Sequence, residues 1–342
     1  MDRDDNISVL ITGGAGFLGS NLSDYLLSQG ISVLSIDNFC TCTKANINYL
    51  TKKYGDSGKF QFIEADVIQD WSWLNPSNNI KKEVKPFLEA HKFSHVFHLA
   101  SPASPPRYKK LSIETLLVNS VGLQKAIQFA DENNARLIFS STSEVYGDPS
   151  ISPQPETYWG NVNSFGERAC YDEAKRYGEA LIYSHNKRYN TKHGLVRIFN
   201  TYGPRMDIAD GRVVINFLYQ ALLNQPLEIY GTGLQTRSFC YVDDLIQGII
   251  NYSQSDLTTP VNIGNDKEFT LIELTEVIQE IFDDRKIQLK FKEWEADDPK
   301  QRRPDLTLAN KYLQPWQPKI SLKEGLINTL KWLKNEVENS NK

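Results

Sequence analysis

The chain contains 342 residues, of which 40% are hydrophobic and 23% are charged, and its formal net charge is −4. This balance is ordinary for a globular protein of about two domains. Lysine and arginine are scattered rather than gathered into a basic stripe, so we expect no nucleic-acid partner. The first residues form no apolar signal core and no apolar run is long enough to span a bilayer, so we expect a cytoplasmic protein without a membrane partner.

Cysteine and histidine give no sign of a metal or a disulfide framework. The cysteines fit neither a zinc-binding spacing nor a small disulfide-rich scaffold, so we expect reduced thiols. The histidines show no metal-ligand spacing, so we predict structural or surface roles for them and no metal site. These residues are Cys40, Cys42, Cys170 and Cys240, and His91, His95, His98, His185 and His193.

Up to about residue 200, short apolar runs alternate with longer amphipathic stretches. The runs are rich in Val, Ile, Leu and Phe without clean alternation, which is typical of strands buried on both faces of a sheet. Strands that alternate with helices predict an α/β fold with a Rossmann-type, doubly wound parallel sheet. The predicted strands cover 7–12, 31–37, 60–66, 95–100, 136–141 and 193–199.

Beyond residue 200, glycine, proline and arginine become more frequent, which indicates a smaller, loop-rich α/β domain. We therefore predict a first domain over 1–200, with a return segment near 239–262, and a second domain over 201–342. Helical patterns in the second part cover 212–223, 243–253, 270–283 and 320–335.

A glycine-rich loop, "TGGAGFLGS", follows the first predicted strand. Gly13, Gly16 and Gly19 have the spacing of a dinucleotide-binding loop, in which glycine permits a tight turn, close approach of the pyrophosphate, and helix–strand packing. The second predicted strand ends in Asp37. An acid there can bind both ribose hydroxyls of NAD and would repel the 2′-phosphate of NADP, so we predict NAD as the cofactor.

A long predicted helix begins with "ACYDEAK", in which Tyr171 and Lys175 are four residues apart and lie on one face. An ammonium group beside a phenol favours the phenolate, so Lys175 is predicted to lower the pKa of Tyr171. Tyr171 can then act as the base for a substrate hydroxyl while hydride leaves for the nicotinamide. Such pairs also arise by chance, but this helix follows the strand that ends in "SSTSEVYG", at the edge where open α/β sheets bind ligands.

Eight segments together carry a family resemblance. They are "TGGAGFLGS", "HLASPASPPRY", "STSEVYGDP", "ACYDEAK", "RIFNTYGPRM", "DGRVVINF", "YGTGLQTRSFCYVDDL" and "DDPKQRRPD". With them the chain resembles the UDP-glucuronate decarboxylases, or UDP-xylose synthases, which are extended short-chain dehydrogenases/reductases, from Ile7 to about Leu333. The resemblance implies that the first domain binds NAD and the second binds the nucleotide sugar, and that UDP-glucuronate is converted to UDP-xylose through a 4-keto intermediate with NAD⁺ regenerated.

The resemblance also assigns roles to residues. It implies that Tyr171 and Lys175 act at the C4 hydroxyl with Thr142 or Ser143, and that Glu144 lies near C5 and C6, although a lone Glu more often caps a helix or pairs with an arginine. The implied cofactor residues are Gly13, Gly16, Phe17, Leu18, Gly19, Asp37, Asn38, Asp66, Val67, Leu99, Ala100, Ser101, Thr115, Tyr171 and Lys175. The implied residues that hold the UDP are Asn200, Arg212, Tyr230 and Arg237. Arg302 is implied as a catalytic and substrate-binding residue that reaches the sugar or its carboxylate, with the adjacent Arg303 as an alternative.

One residue separates this pattern from the related sugar-nucleotide 4,6-dehydratases. Those enzymes usually carry Asp-Glu at the positions of Ser143 and Glu144, and the Asp is the acid that expels the 6-hydroxyl. An alcohol is a very poor proton donor, so Ser143 favours a decarboxylase. The alternatives are a dTDP-glucose-type dehydratase, an epimerase, a decarboxylase of a 2-acetamido analogue, and a non-catalytic NAD(H) sensor.

The resemblance further implies a homodimer built as a four-helix bundle from the helices over 113–132 and 167–189. Segment 67–92 is longer than in many relatives, and we expect it to form an extra helix. Glu114 replaces an expected lysine, so no substrate contact is assigned to it. We interpret Arg168 and Arg188 as members of surface ion pairs.

Overall fold

The computed structural model describes residues 7–71, 74, 84–293 and 301–340. Seven of the fourteen strands in the described residues belong to one large sheet, and the other seven form three small sheets. The strands are β1 (Ile7–Thr12), β2 (Ser32–Asp37), β3 (Phe60–Glu64), β4 (Lys92–His98), β5 (Arg136–Thr142), β6 (Gly194–Ile198), β7 (Thr201–Tyr202), β8 (Leu227–Tyr230), β9 (Thr236–Ser238), β10 (Cys240–Tyr241), β11 (Val261–Ile263), β12 (Glu268–Thr270), β13 (Leu289–Lys292) and β14 (Gln301–Arg302).

The helices cover both faces of the large sheet and fill the second part of the chain. They are α1 (Phe17–Ser28), α2 (Ala45–Tyr54), α3 (Lys85–Ala90), α4 (Pro105–Lys110), α5 (Ser112–Leu117), α6 (Leu123–Glu132), α7 (Ala169–Tyr189), α8 (Val213–Leu222), α9 (Val242–Gln254), α10 (Leu271–Ile281), α11 (Thr307–Tyr312) and α12 (Leu322–Ser340). A five-residue π-helix, Val118–Gly122, joins α5 to α6.

The large sheet confirms the predicted Rossmann-type fold. Its strands run parallel in the order β11-β6-β5-β4-β1-β2-β3. The apolar residues of the central strands are fully buried because helices cover both faces. The strand order reverses between β1 and β4, and such a reversal opens a ligand-binding crevice at the carboxyl ends of the strands.

The second part of the chain is built from short sheets and helices. β8 pairs with β13, β9 lies between β12 and β14, and α10 and α12 pack together. After residue 239 the chain returns to the large sheet through α9 and β11, which pairs with β6. The predicted helices over 212–223, 243–253, 270–283 and 320–335 correspond to α8, α9, α10 and α12.

Helix α7 lies unusually close to strand β5. A Cβ atom added at Gly178 would lie 2.6 Å from the Phe139 ring, so only glycine permits this approach. Glu179, the next residue, accepts hydrogen bonds from Ser141 on β5 (2.5 Å) and from Arg197 on β6 (2.7 and 2.9 Å). These contacts fix the first turns of α7 over the carboxyl ends of the central strands.

The predicted extra helix in 67–92 is described only in part, because residues 72–73 and 75–83 lie outside the described ones. The segment ends in the short helix α3, and its side chains Trp71 and Phe87 join the buried core. Within the described ranges, no helix combines the length and the apolar character that a membrane span requires.

We predict that Gly178→Ala destabilises the protein, because the added methyl group overlaps the Phe139 ring. The expected loss in free energy of unfolding is about 1–3 kcal/mol, measured by urea denaturation. Gly55→Ala is the matched control, because Gly55 has φ −56° and an added Cβ would meet only an ordinary contact of 3.5 Å. Equal stability of the two variants would contradict the close packing of α7 on β5.

Candidate active site

A cavity of about 430 Å³ opens at the carboxyl ends of the parallel strands. It extends from the glycine-rich loop, past the end of β5, to the segment after β6. Most of the sequence-predicted site residues line it, namely Gly13, Gly16, Phe17, Leu18, Gly19, Asp37, Asn38, Asp66, Val67, Leu99, Ala100, Ser101, Thr142, Ser143, Glu144, Tyr171, Lys175, Asn200 and Arg212.

The glycine-rich end of the cavity fits a dinucleotide. Gly13 has φ +72°, and an added Cβ would lie 2.7 Å from the backbone nitrogen of Ala100, so no other residue fits. Helix α1 begins after Gly16 without a side-chain cap and without an acidic residue in its first turn. Its free N–H groups and its dipole therefore favour a phosphate group at this end of the cavity.

Asp37 occupies the position expected for recognition of a ribose. Its carboxylate accepts hydrogen bonds from the amides of Ala15 (3.0 Å) and Phe39 (2.8 Å) and lies 3.7 Å from the Cys42 thiol. Burial raises its pKa. Because these contacts hold the carboxylate at the cavity wall, NAD remains the cofactor that this end of the cavity fits best.

Tyr171 and Lys175 are buried together in the first turns of α7. Lys175 Nζ donates a hydrogen bond to the Ser140 carbonyl oxygen (2.7 Å), and burial lowers its pKa to about 7. The Tyr171 phenol is hydrogen-bonded to Thr142, and the Tyr108 ring stacks on the Tyr171 ring with centroids 5.1 Å apart. The proposed base and its neighbours therefore form one ordered group at the end of β5.

The prediction that Lys175 lowers the pKa of Tyr171 is wrong for this structure. Burial raises the pKa of the phenol, and the Thr142 hydrogen bond and the Arg212 charge oppose that rise. The Lys175 ammonium donates to the Ser140 carbonyl and lies 5.7 Å from the centre of the Tyr171 ring. The spacing in the sequence identified Tyr171 and Lys175 as a pair, but burial determines the direction in which the pKa of each group is shifted.

Glu144 is held by two arginines. Arg302 approaches both carboxylate oxygens, and Arg168 binds one of them. The interpretation of Arg168 as a member of a surface ion pair is wrong, because only 15% of its side chain is exposed and its partner is Glu144. Arg303 pairs with Glu268 instead (3.8 Å), so Arg302 is the arginine next to Glu144.

Four predicted site residues are not part of the cavity lining that the described residues form. They are Thr115, Tyr230, Arg237 and Arg302. Thr115 is buried and donates its hydroxyl to the Leu111 carbonyl oxygen (2.7 Å). Tyr230 ends β8, while Arg237 on β9 is the register partner of Arg302 on β14. The two arginines are therefore neighbours in the small sheet, and of the two it is Arg302 that binds Glu144.

The cavity also contains residues that sequence reasoning missed. Glu114 lines the cavity, although the sequence assigned it no contact. Arg107 also lines the cavity and forms an ion pair with Asp207 (2.7 Å). Arg107 lies in the quoted segment "HLASPASPPRY", so the resemblance contained a signal for it. Trp332 reaches the cavity from α12, far along the chain, and no local pattern indicates that.

The structure brings together Asp131, His185 and His193, although the sequence spacing gave no such group. Each imidazole Nε2 lies 3.1 Å from an Asp131 oxygen. The Leu137 amide donates to His193 Nδ1 (3.1 Å), which places the His193 proton on Nε2, facing Asp131. Nε2 is then a donor rather than a metal ligand, so His193 has a structural role here.

Comparison with known proteins identifies the family. The model of the NAD dependent epimerase/dehydratase family matches residues 9–264. The chain belongs to this family.

Curated relatives cover nearly the whole chain. UDP-glucuronic acid decarboxylase 5 of Arabidopsis thaliana is 43% identical over 322 residues, which are 94% of this chain and 87% of that protein. UDP-glucuronic acid decarboxylase 1 of Danio rerio is 40% identical over 338 residues, 99% of this chain and 75% of that protein. The UDP-glucuronic acid 4-epimerase of Bacillus cereus, solved with UDP-glucuronic acid and NAD, matches at a TM-score of 0.81 and 26% identity, covering 96% of this chain and 99% of that one.

We predict that Lys175→Met changes the pH dependence of stability. The lysine pKa is about 7 in the folded protein. It is about 10.4 in the unfolded chain, so between these values the unfolded state binds more protons and the wild-type protein gains stability as pH rises. The variant lacks this gain, so its stability relative to wild type is highest at about pH 7 and falls toward about pH 10.

Urea denaturation across that pH range measures the difference. Lys187→Met is the control, because Lys187 is exposed near the end of the same helix. A difference between Lys175→Met and wild type that does not change with pH would contradict the buried, depressed pKa of Lys175.

Proposed function

We propose that this chain is an NAD-dependent UDP-glucuronate decarboxylase that produces UDP-xylose. The observation that carries the proposal is the assembly of Tyr171, Lys175, Ser143 and Glu144 in one cavity with a dinucleotide-binding loop. The decarboxylase relatives, which are 40–43% identical over nearly the full chain, support the choice of reaction. The proposal assigns NAD to residues 1–200 with the return segment near 239–262, and the nucleotide sugar to 201–342.

The first step is oxidation at C4 of the sugar. When bound, NAD accepts a hydride and later returns it. Tyr171 removes the C4 hydroxyl proton, and the Thr142 hydroxyl, already bonded to the phenol, stabilises the oxygen as charge develops on it. Because burial raises the pKa of Tyr171, the positive charge of the bound nicotinamide and of the neighbouring cations is needed to favour the phenolate.

The second step is loss of CO₂. A ketone at C4 is β to the C6 carboxylate, so the electrons of the breaking C5–C6 bond pass into an enolate. In this proposal Glu144, which lines the cavity, lies next to C5 and C6, and its carboxylate is held by arginines, so it can direct the proton that returns to C5. Ser143 suits this chemistry, because decarboxylation expels no hydroxide and needs no strong acid at that position.

The substrate diphosphate requires positive charge and hydrogen-bond donors. Asn200 and Arg212 line the cavity beyond the reaction centre, and Arg212 is preceded by its ion-pair partner Asp210 (2.9 Å). The planar fork of arginine suits a diphosphate. On the resemblance, we assign Tyr230 and Arg237 to the UDP as well, although neither lines the cavity formed by the described residues.

The proposal includes a homodimer and a cytoplasmic location. Side chains along 113–121 and on α7 that are apolar and exposed, namely Ile113, Leu116, Leu117, Val121, Tyr177 and Tyr183, support a four-helix bundle with a second copy. The four cysteines are all free, which supports a reducing compartment.

We predict that the purified protein with NAD⁺ releases CO₂ from UDP-glucuronate and yields UDP-xylose, identified by NMR of the product. Tyr171→Phe should lower kcat by about a hundredfold or more, because it removes the proton acceptor for the C4 hydroxyl. Tyr189→Phe is the control, since Tyr189 is exposed at the end of α7.

Loss of water from the sugar would instead indicate a dehydratase, and inversion at C4 without loss of mass would indicate an epimerase. Either product, or full activity of Tyr171→Phe, would contradict the proposal.

A further inference from the structure

Two guanidinium groups converge on Glu144 behind the wall of the cavity. Arg302 comes from β14 in the second part of the chain and is 5% exposed, while Arg168 comes from the start of α7. Glu144 lines the cavity, whereas neither arginine does so among the described residues. The carboxylate therefore separates both arginines from the space where a sugar would bind.

Arg168 connects Glu144 to the proposed base. It lies three residues before Tyr171, and its guanidinium is 5.9 Å from the centre of the Tyr108 ring. That ring stacks on Tyr171 with an interplanar angle of 7°. A change at Arg168 thus reaches both Glu144, at the end of β5, and the phenol on α7.

The charges of this group do not balance. The other acid beside Arg168 is Asp172, whose nearest oxygen is 3.9 Å from Arg168 Nε. Burial raises the pKa of Asp172 to about 7, against the opposing effect of Arg168, so this carboxyl group is partly protonated at neutral pH. Two guanidinium groups therefore share Glu144, and the only other acid paired with either of them among the described residues is the partly protonated Asp172 beside Arg168.

Arg302 also has unused hydrogen-bonding capacity. Among the described residues, its buried Nε atom has no hydrogen-bond partner, and the same is true of Asp172 Oδ1 and Tyr108 Oη. Burial lowers the pKa of Arg302 to about 10, because water is excluded from the guanidinium. One further anion next to Glu144 would offset the excess positive charge in a region of low dielectric.

We propose that Arg168 is a positioning residue that holds Glu144 and, with Arg302, makes this end of the cavity select a sugar with an anionic C6 group. This inference rests on the proposed function, which places C6 of the sugar next to Glu144. A C6 carboxylate adds the missing negative charge, whereas the hydroxymethyl group of a neutral hexose does not. Arg168 acts through Glu144 rather than by touching the substrate.

The test compares the Kd of UDP-glucuronate with that of UDP-glucose for the NAD-loaded protein, measured by calorimetry. Arg168→Gln should reduce the preference for UDP-glucuronate by about tenfold to a hundredfold while the Kd of UDP-glucose changes little. Arg168→Met, which keeps an unbranched apolar side chain but removes the charge, should do the same. Arg168→Lys should retain more of the preference than Arg168→Gln, because it keeps the charge.

Arg188→Gln is the matched control, because Arg188 is exposed on the same helix and should leave the preference unchanged. An unchanged ratio of the two Kd values in Arg168→Gln and Arg168→Met would overturn the inference, even if both ligands bound more weakly. A wild-type protein that binds both sugars but releases no CO₂ would overturn the proposed function instead, so the two failures are distinguishable.

Discussion

The close packing of α7 on β5 is the constraint on which the rest of the site depends. Gly178 allows the helix to approach Phe139, and Glu179 ties the same turn to β5 and β6. This places Tyr171, about two turns earlier in the helix, at the end of β5, beside Thr142 and Glu144. Without that approach, a phenol with the same sequence spacing would lie too far from the crevice at the strand ends.

The packing has an electrostatic cost. Lys175 is buried with its ammonium on the Ser140 carbonyl, and its pKa falls to about 7. The pKa of Tyr171 rises because the phenol is also buried. Such perturbed groups, gathered in a cleft, are typical of catalytic sites, and bound ligands can supply the charge that the protein alone lacks.

The proposed function places the C6 carboxylate of the substrate next to Glu144. Its carboxylate faces the cavity, and two arginines hold it from behind. The end of the site where a C6 group would lie is thus rich in positive charge, while the glycine-rich end uses backbone N–H groups and a helix dipole. In the proposed function, the two ends therefore recognise different anions by different means.

Local patterns predicted most of this architecture. Apolar runs predicted the parallel strands. The spacing of Gly13, Gly16 and Gly19 predicted the glycine-rich loop, and the spacing of Tyr171 and Lys175 predicted that these two side chains lie together. Contacts between distant segments could not be read from the sequence. Arg168 therefore looked like a surface residue, and the group of His185 and His193 with Asp131 was missed.

Other errors arose because burial is a property of the whole fold. The direction of the Tyr171 pKa shift was predicted from one neighbour, but the surrounding core decided it. Thr115 matched a family position, yet its hydroxyl donates to a backbone carbonyl and does not line the cavity.

The central claim is that C4 is oxidised and then reduced again within one catalytic cycle, with Tyr171 as the base. The most direct measurement uses UDP-glucuronate carrying deuterium at C4 and follows the label in the product by NMR. The account predicts that UDP-xylose retains the deuterium at C4, because the same hydride leaves and returns. Release of CO₂ with UDP-xylose that carries only protium at C4 would contradict it.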